Sequence, residues 1–204
     1  MSGCFDLEQD LAFRRDGTAT ANVRIAVDAT ALAMAKDVNS KWCSTEKLLS
    51  SKGITGTAER TTEGRDEVCT VSFSGTTDDL VAALSNANIG GDKRQGVQLN
   101  RVGENYEFIV NFPSLKPTDK YANDPMAQGL RTLILAKMSG RRIAWAVTAP
   151  RIIETSGTIS EDGRTATYSR PLASVLSSDQ PTTFRAVFSL ESPGMFEQFL
   201  NWFR

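Results

Sequence analysis

Cys4 is the residue whose neighbours point most directly to a chemical modification. Ser2-Gly3-Cys4 follows the pattern that ends a bacterial lipobox, with no apolar run ahead of it. In that motif a signal peptidase cuts before the cysteine, whose thiol and new amino group then receive acyl chains. The chain reads as a mature form with Met1, Ser2 and Gly3 in place of its signal peptide. Each buried methylene contributes about 0.8 kcal/mol, so two or more chains anchor a soluble domain stably to a membrane. The plain alternative is an ordinary cysteine near a start codon.

Cys43 and Cys69 are the other two cysteines. With Cys4 acylated they remain as a pair, and in an exported domain such a pair is a disulfide candidate. The alternative is two buried thiols, since cysteine behaves as a small apolar residue. The spacings do not resemble a paired-cysteine metal site.

Histidine is absent. That excludes Ser-His and Cys-His nucleophile pairs and His-bearing zinc sites. Asp, Glu, Lys and Tyr can still catalyse. The adjacent carboxylates, however, have structural explanations: Asp78 with Asp79 suits the first turn of a helix, and Glu161 with Asp162 suits a turn. Gly90-Gly91 and Gly53-Ile54-Thr55-Gly56 match no phosphate-binding loop. The reading is therefore non-enzymatic, with no catalytic residue, no metal and no cofactor. Basic and acidic residues number 23 and 24, net −1. They form no block of one sign, which argues against nucleic acid as a partner. No run of 18 apolar residues is long enough to span a bilayer.

One apolar stripe suits a binding pocket. Met126, Leu130, Leu133, Ile134 and Met138 recur along a helix expected over Asp124 to Ser139. With Phe108, Phe112 and Trp145 they could line a space for an acyl chain, apolar with a few polar groups at its mouth. Ordinary core packing explains the same spacing. Arg141-Arg142 could receive a phosphate or carboxylate headgroup, or simply face the helix end and solvent. Near the end of the chain, Phe196, Phe199, Leu200 and Phe203 share one helical side, with Trp202 beside them. They suit a membrane interface, a partner groove or the domain's own sheet.

The elements that must position these residues are mostly hairpins. Phe5, Leu7, Leu11 and Phe13 alternate with polar residues, turn at Arg15-Asp16-Gly17, and continue into Ala19 to Val27. Further hairpins are expected for Ile54 to Arg60 with Glu67 to Phe73, and for Val97 and Leu99 with Tyr106 to Phe112. Two more strands run over Ile143 to Ala149 and Phe184 to Leu190. Ile152 to Ile159 and Arg164 to Tyr168 are read as one hairpin. Helices are expected over Asp28 to Ser40, Thr45 to Ser51, from a cap at Thr76 or Thr77, over Asp124 to Ser139, and from Ser192 on. Interleaved hairpins and helices give an α+β class: a twisted, largely antiparallel sheet with helices packed across it. Lys116-Pro117-Thr118-Asp119 is the best candidate break, and it is short. One domain over 1–204 is the simpler organisation, with 1–4 as a lipobox remnant and 192–204 as a terminal aromatic helix.

Gly3-Cys4, the hairpin from Phe5 to Val27, the stretch Ala144-Trp145-Ala146-Val147-Thr148-Ala149-Pro150 and the stretch Ile153-Glu154-Thr155-Ser156-Gly157 together resemble the LppM-like family of bacterial surface lipoproteins. The resemblance runs over most of the chain as a pattern of elements. It implies an exported domain, held on the bacterial cell membrane or outer membrane by acylated Cys4. It also implies lipid or glycolipid bound in an apolar space between helices and sheet. The competing reading is an interaction module that docks another envelope protein through a sheet edge or the terminal aromatics.

Overall fold

Alternation of apolar and polar residues builds most of this chain into strands, and short turns pair those strands in sequence order. A computed structural model describes residues 5–34, 43, 53–86, 96–112, 125–138, 140–178 and 181–191. β1 (Phe5–Phe13) and β2 (Thr18–Asp28) form the first hairpin, with Phe5 opposite Val27 and Phe13 opposite Ala19. Asp16 fixes its turn: Oδ1 accepts from the Thr18 amide at 2.9 Å and the Thr18 hydroxyl at 2.7 Å. β3 (Thr55–Glu63) and β4 (Asp66–Thr76) form the second. Glu63 faces Asp66, so only Gly64-Arg65 turn the chain, and Gly64 takes φ +62°. That left-handed conformation is open to glycine without a Cβ penalty. β5 (Gly96–Val102) and β6 (Asn105–Phe112) form the third. The remaining described strands are β7 (Arg142–Thr148), β8 (Arg151–Thr155), β9 (Thr158–Ile159), β10 (Thr165–Pro171) and β11 (Thr182–Ser189).

These strands form two sheets, so the α+β class holds while a single sheet does not. The larger runs β3-β4-β2-β1-β7-β10-β9 and the smaller β5-β6-β11-β8. Every pairing is antiparallel except β1 with β7. The core lies between the sheets. Phe13 of β1 stacks on Phe188 of β11 with ring centroids 4.4 Å apart, and Trp145 of β7 stacks on Phe184 of β11 at 6.1 Å.

The change of sheet has a local cause. After β7 the chain meets Pro150, which has no N–H to continue a ladder. β8 then pairs with β11 in the smaller sheet. The hairpin expected for Ile152 to Ile159 is therefore split, because β9 returns to pair with β10 in the larger sheet. The split falls at Ser156-Gly157. The Ser156 amide donates to the Arg185 carbonyl at 2.9 Å. Gly157 passes so close to β10 that a Cβ there would stand 2.1 Å from the Thr167 carbonyl oxygen.

Four helices are described: α1 (Ala29–Met34), α2 (Thr77–Asn86), α3 (Pro125–Lys137) and α4 (Leu172–Ser177). Thr76 and Asp79 close a capping box on α2. Thr76 Oγ1 accepts from the Asp79 amide at 3.1 Å, and Asp79 Oδ2 accepts from the Thr76 amide at 3.3 Å and hydroxyl at 2.7 Å. Leu80 and Ala83 then enter the core. α4 has only six residues, too few for a periodic signal, and the sequence reading did not anticipate it. Its buried face is Leu172 and Val175, three residues apart. The helices expected over 45–51 and 192–204, and the continuation of α1 to Ser40, lie outside the described residues.

A cation ties three strands together on the outer face. Arg141 Nη1 donates to Asp6 Oδ2 at 2.9 Å and Asp66 Oδ2 at 2.5 Å, and Nη2 donates to Asp66 Oδ1 at 2.6 Å. Hydrogen bonds from Arg141 hold the Asp66 carboxyl below its ordinary value, outweighing desolvation. A carboxylate depressed in the folded state contributes stability above its unfolded pKa and loses it as pH falls through the folded one. Arg141→Met is expected to lower stability by about 2 kcal/mol at neutral pH, leaving two partly buried carboxylates without their cation. It is also expected to flatten the loss of stability below about pH 4. Urea unfolding across that range reads both effects. An acid limb as steep as that of the unaltered protein would disconnect Arg141 from Asp66.

Candidate functional site

The inner face of the larger sheet can be read in rows across its strands. One row is Phe73, Ala21, Leu11, Val147 and Ala166, on β4, β2, β1, β7 and β10. All five are buried. The next row is Val71, Val23, Gln9, Trp145 and Tyr168, and the one after it holds Cys69, Ile25, Leu7, Ile143 and the exposed Arg170. Here burial changes across the sheet. Cys69 and Val71 on one side, and Ile143 and Trp145 on the other, are buried. Between them Val23, Ile25 and Leu7 are half-buried, as are Phe5 and Val27 one row further on.

These five residues form an apolar floor on β1 and β2, toward the end of the hairpin where β1 begins. Its boundaries follow from the unequal sheets. Rings of the smaller sheet meet the larger one at Phe13 and at Trp145 with Tyr168. On the opposite flank, Cys43 is joined to Cys69 by a disulfide, with Cα atoms 5.5 Å apart. This is the bridge the sequence offered as one of two alternatives.

Two polar atoms interrupt the apolar surface. Gln9 lies on the same face as Leu7 and Leu11, and its register partner across the parallel pair is Trp145. Gln9 Oε1 and Trp145 Nε1 are both buried, and neither has a hydrogen-bond partner among the described residues. A buried donor or acceptor left unpaired costs about 1–3 kcal/mol. The sequence reading grouped Phe5, Leu7, Leu11 and Phe13 on one face and passed over Gln9. The signal was present, because a lone polar residue interrupts an otherwise apolar alternation.

The residues expected to line a pocket fall in different places. Phe108 is fully buried and meets Phe184 edge-on at 6.1 Å, so Phe108 and Trp145 share a ring network through Phe184. Met138 is buried, Phe112 is half-buried at the end of β6, and Met126 is 82 % exposed. The side chains of Leu130, Leu133 and Ile134 lie outside those described, as do Cys4 and the terminal aromatics. Arg141 and Arg142 are engaged by carboxylates: Arg141 by Asp6 and Asp66, and Arg142 by Glu8 at 2.6 Å. Asp162 accepts from the Ser160 hydroxyl and the Arg164 amide, as a turn residue does. Among the described residues no cluster of three His, Cys, Asp or Glu could hold a metal ion, and no helix is long and apolar enough to cross a membrane.

No protein-family profile and no curated protein matches the sequence. Among solved structures, two M1 zinc metallopeptidase structures from Deinococcus radiodurans are similar at TM-scores of 0.33 and 0.31 and 12 % identity, over 90 % of this chain and 40 % and 41 % of theirs. A likeness that low carries no argument. The folded domain of LppM from Mycobacterium tuberculosis, solved by NMR, superposes with a TM-score of 0.57 at 14 % identity, over 95 % of this chain and 94 % of that one. What the chain has in common with the LppM domain, across nearly the whole length of both, is its fold.

Proposed function

We propose that this chain is a non-enzymatic envelope lipoprotein, anchored by acylation of Cys4, that binds lipid or glycolipid on the floor formed by β1 and β2. The observation that carries this reading is the half-buried set Phe5, Leu7, Val23, Ile25 and Val27 beside a closed core. Leu11 and Ala21 on the same face are buried, whereas these five keep part of their surface open, with Phe5, Leu7 and Val23 at the margin of the core. The LppM-like fold supports the reading, and so does Ser2-Gly3-Cys4. Cys4 is bonded directly to Phe5, the first residue of the floor. An anchor at that position would bring the half-buried end of the sheet to the membrane surface, where lipid is supplied.

Native mass spectrometry of protein purified from a bacterial host that processes lipoproteins tests both parts together. The expected spectrum shows acyl mass on Cys4, absent from Cys4→Ser, and a retained lipid. Ile25→Gln places an amide on the floor without adding bulk, and is expected to weaken uptake of a fluorescent lipid about tenfold. Protein that carries neither acyl mass nor lipid would remove the proposal. Undiminished uptake by folded Ile25→Gln would move the binding site elsewhere.

A further inference from the structure

The geometry points to Gln9 and Trp145 as the seat for an uncharged hydroxyl group of a bound lipid. This rests on the lipid-binding reading above and specifies its chemistry. The two residues are register partners on β1 and β7, so their side chains are neighbours on the inner face. Trp145 is 2 % exposed. Its Nε1 and Gln9 Oε1 are buried and have no hydrogen-bond partner among the described residues. An indole N–H only donates and an amide oxygen only accepts, while a hydroxyl does both through one oxygen. One ligand hydroxyl can accept from Trp145 and donate to Gln9.

The immediate surroundings disfavour a charged group. The rest of the row is Val71, Val23 and Tyr168, with Leu11 and Leu7 on either side of Gln9 along β1. None of these is a cation, and Arg170, in the next row opposite Ile143, is exposed and donates to Ser174 Oγ at 3.2 Å, so a carboxylate or phosphate placed beside Gln9 would be buried without a partner. A neutral hydroxyl carries no such cost. The direction of the ligand follows from burial: the row beyond, with Leu11 and Ala21, is closed, while Leu7, Ile25, Phe5 and Val27 are half-buried. The hydroxyl therefore sits inward and the hydrocarbon lies along the floor.

Three ligands of equal chain length separate the possibilities: decanol, decyl methyl ether and decanoate, each titrated against the full chain. Decyl methyl ether keeps the acceptor and loses the donor, and decanoate adds a charge. Decanol is expected to bind about tenfold more tightly than either. It should also move the indole N–H resonance of Trp145 downfield in an isotope-labelled sample, as should the ether at saturation, since both offer that N–H an acceptor. Gln9→Leu is expected to equalise decanol and ether, read as the ratio of the two affinities within the variant. It should raise the unfolding midpoint as well, because it removes a buried acceptor with no partner. Trp145→Phe, which keeps an aromatic ring, should weaken decanol and ether alike and leave the preference between them, because the hydroxyl still donates to Gln9. Equal binding of decanol and ether by the unaltered protein would overturn the hydroxyl seat and leave lipid binding standing. So would a preference that survives Gln9→Leu, the sign that only water occupies the pair. If none of the three binds, the lipid reading and this inference fall together.

Discussion

Gly157→Ala is expected to lower stability by about 3 kcal/mol, one of the two largest effects of a conservative change in this chain. The cause is steric. Gly157 is not among the glycines with positive φ, so its backbone conformation is open to alanine. The obstruction is what an added methyl would meet: the Thr167 carbonyl oxygen at 2.1 Å, its carbon at 3.0 Å and the Phe184 ring at 3.1 Å. A flexible side chain could turn aside, but the carbonyl belongs to β10 and is fixed by the ladders on both its sides. Relief requires β9 to lift from β10, or the Phe184 ring to shift from its contacts with Trp145 and Tyr168. Gly129→Ala is the control. It lies in α3 with nothing within 4 Å of its Cβ position, and should gain about 0.5–1 kcal/mol from the helix preference of alanine. Denaturant unfolding of the two variants beside the parent decides the matter. A Gly157→Ala protein within about 0.5 kcal/mol of the parent would show that the strand crossing is looser than the geometry implies.

Gly157 also marks where sequence reasoning stopped. Period-two alternation placed β1, β2, β6, β7 and β11 and their buried faces, because the pattern within a strand is set by which side meets the core. Turn chemistry placed the first three hairpins, and Thr76 with Asp79 announced α2. The assignment of strands to sheets was not legible. Alternation reads the same whichever sheet receives the strand, so Ile152 to Ile159 looked like half of a single hairpin. Nothing in sequence distance announced that β1 would lie parallel to β7, 135 residues on from Asp6 to Arg141 by the ion pair that joins their ends. Of the expected lining, Phe108, Met138 and Trp145 are buried in the core, while the side chains of Leu130, Leu133 and Ile134 lie outside those described. Apolar lining was expected on the helix over Asp124 to Ser139, whereas the half-buried apolar face described belongs to β1 and β2. Trp145 was named for its ring, and its unpaired N–H emerged only once Gln9 stood beside it.

Breaking the Cys43–Cys69 bridge is expected to cost about 3 kcal/mol, comparable to the Gly157 effect but of different origin. The bond closes a span of 26 residues, and in the chain-entropy account such a closure restricts the unfolded chain by roughly that amount. Position adds to this effect. Cys69 is 1 % exposed and lies in the row of Ile25 and Leu7, so the bridge pins residue 43 beside the floor. Reduced wild-type protein and Cys43→Ala separate the two contributions, since reduction keeps both sulfur atoms and the substitution does not. Both should unfold at lower denaturant than the oxidised form, and both should lose affinity for decanol, because one wall of the floor is no longer tethered. Cys69→Ala should fall further, by about 1 kcal/mol, for the small cavity left under the sheet. Thiol counting on unfolded, unreduced protein is the direct check, with residues 43 and 69 expected to contribute none. Equal unfolding midpoints with and without reductant would show that the core alone holds this region in place. Two titratable thiols at those positions would refute the bridge itself.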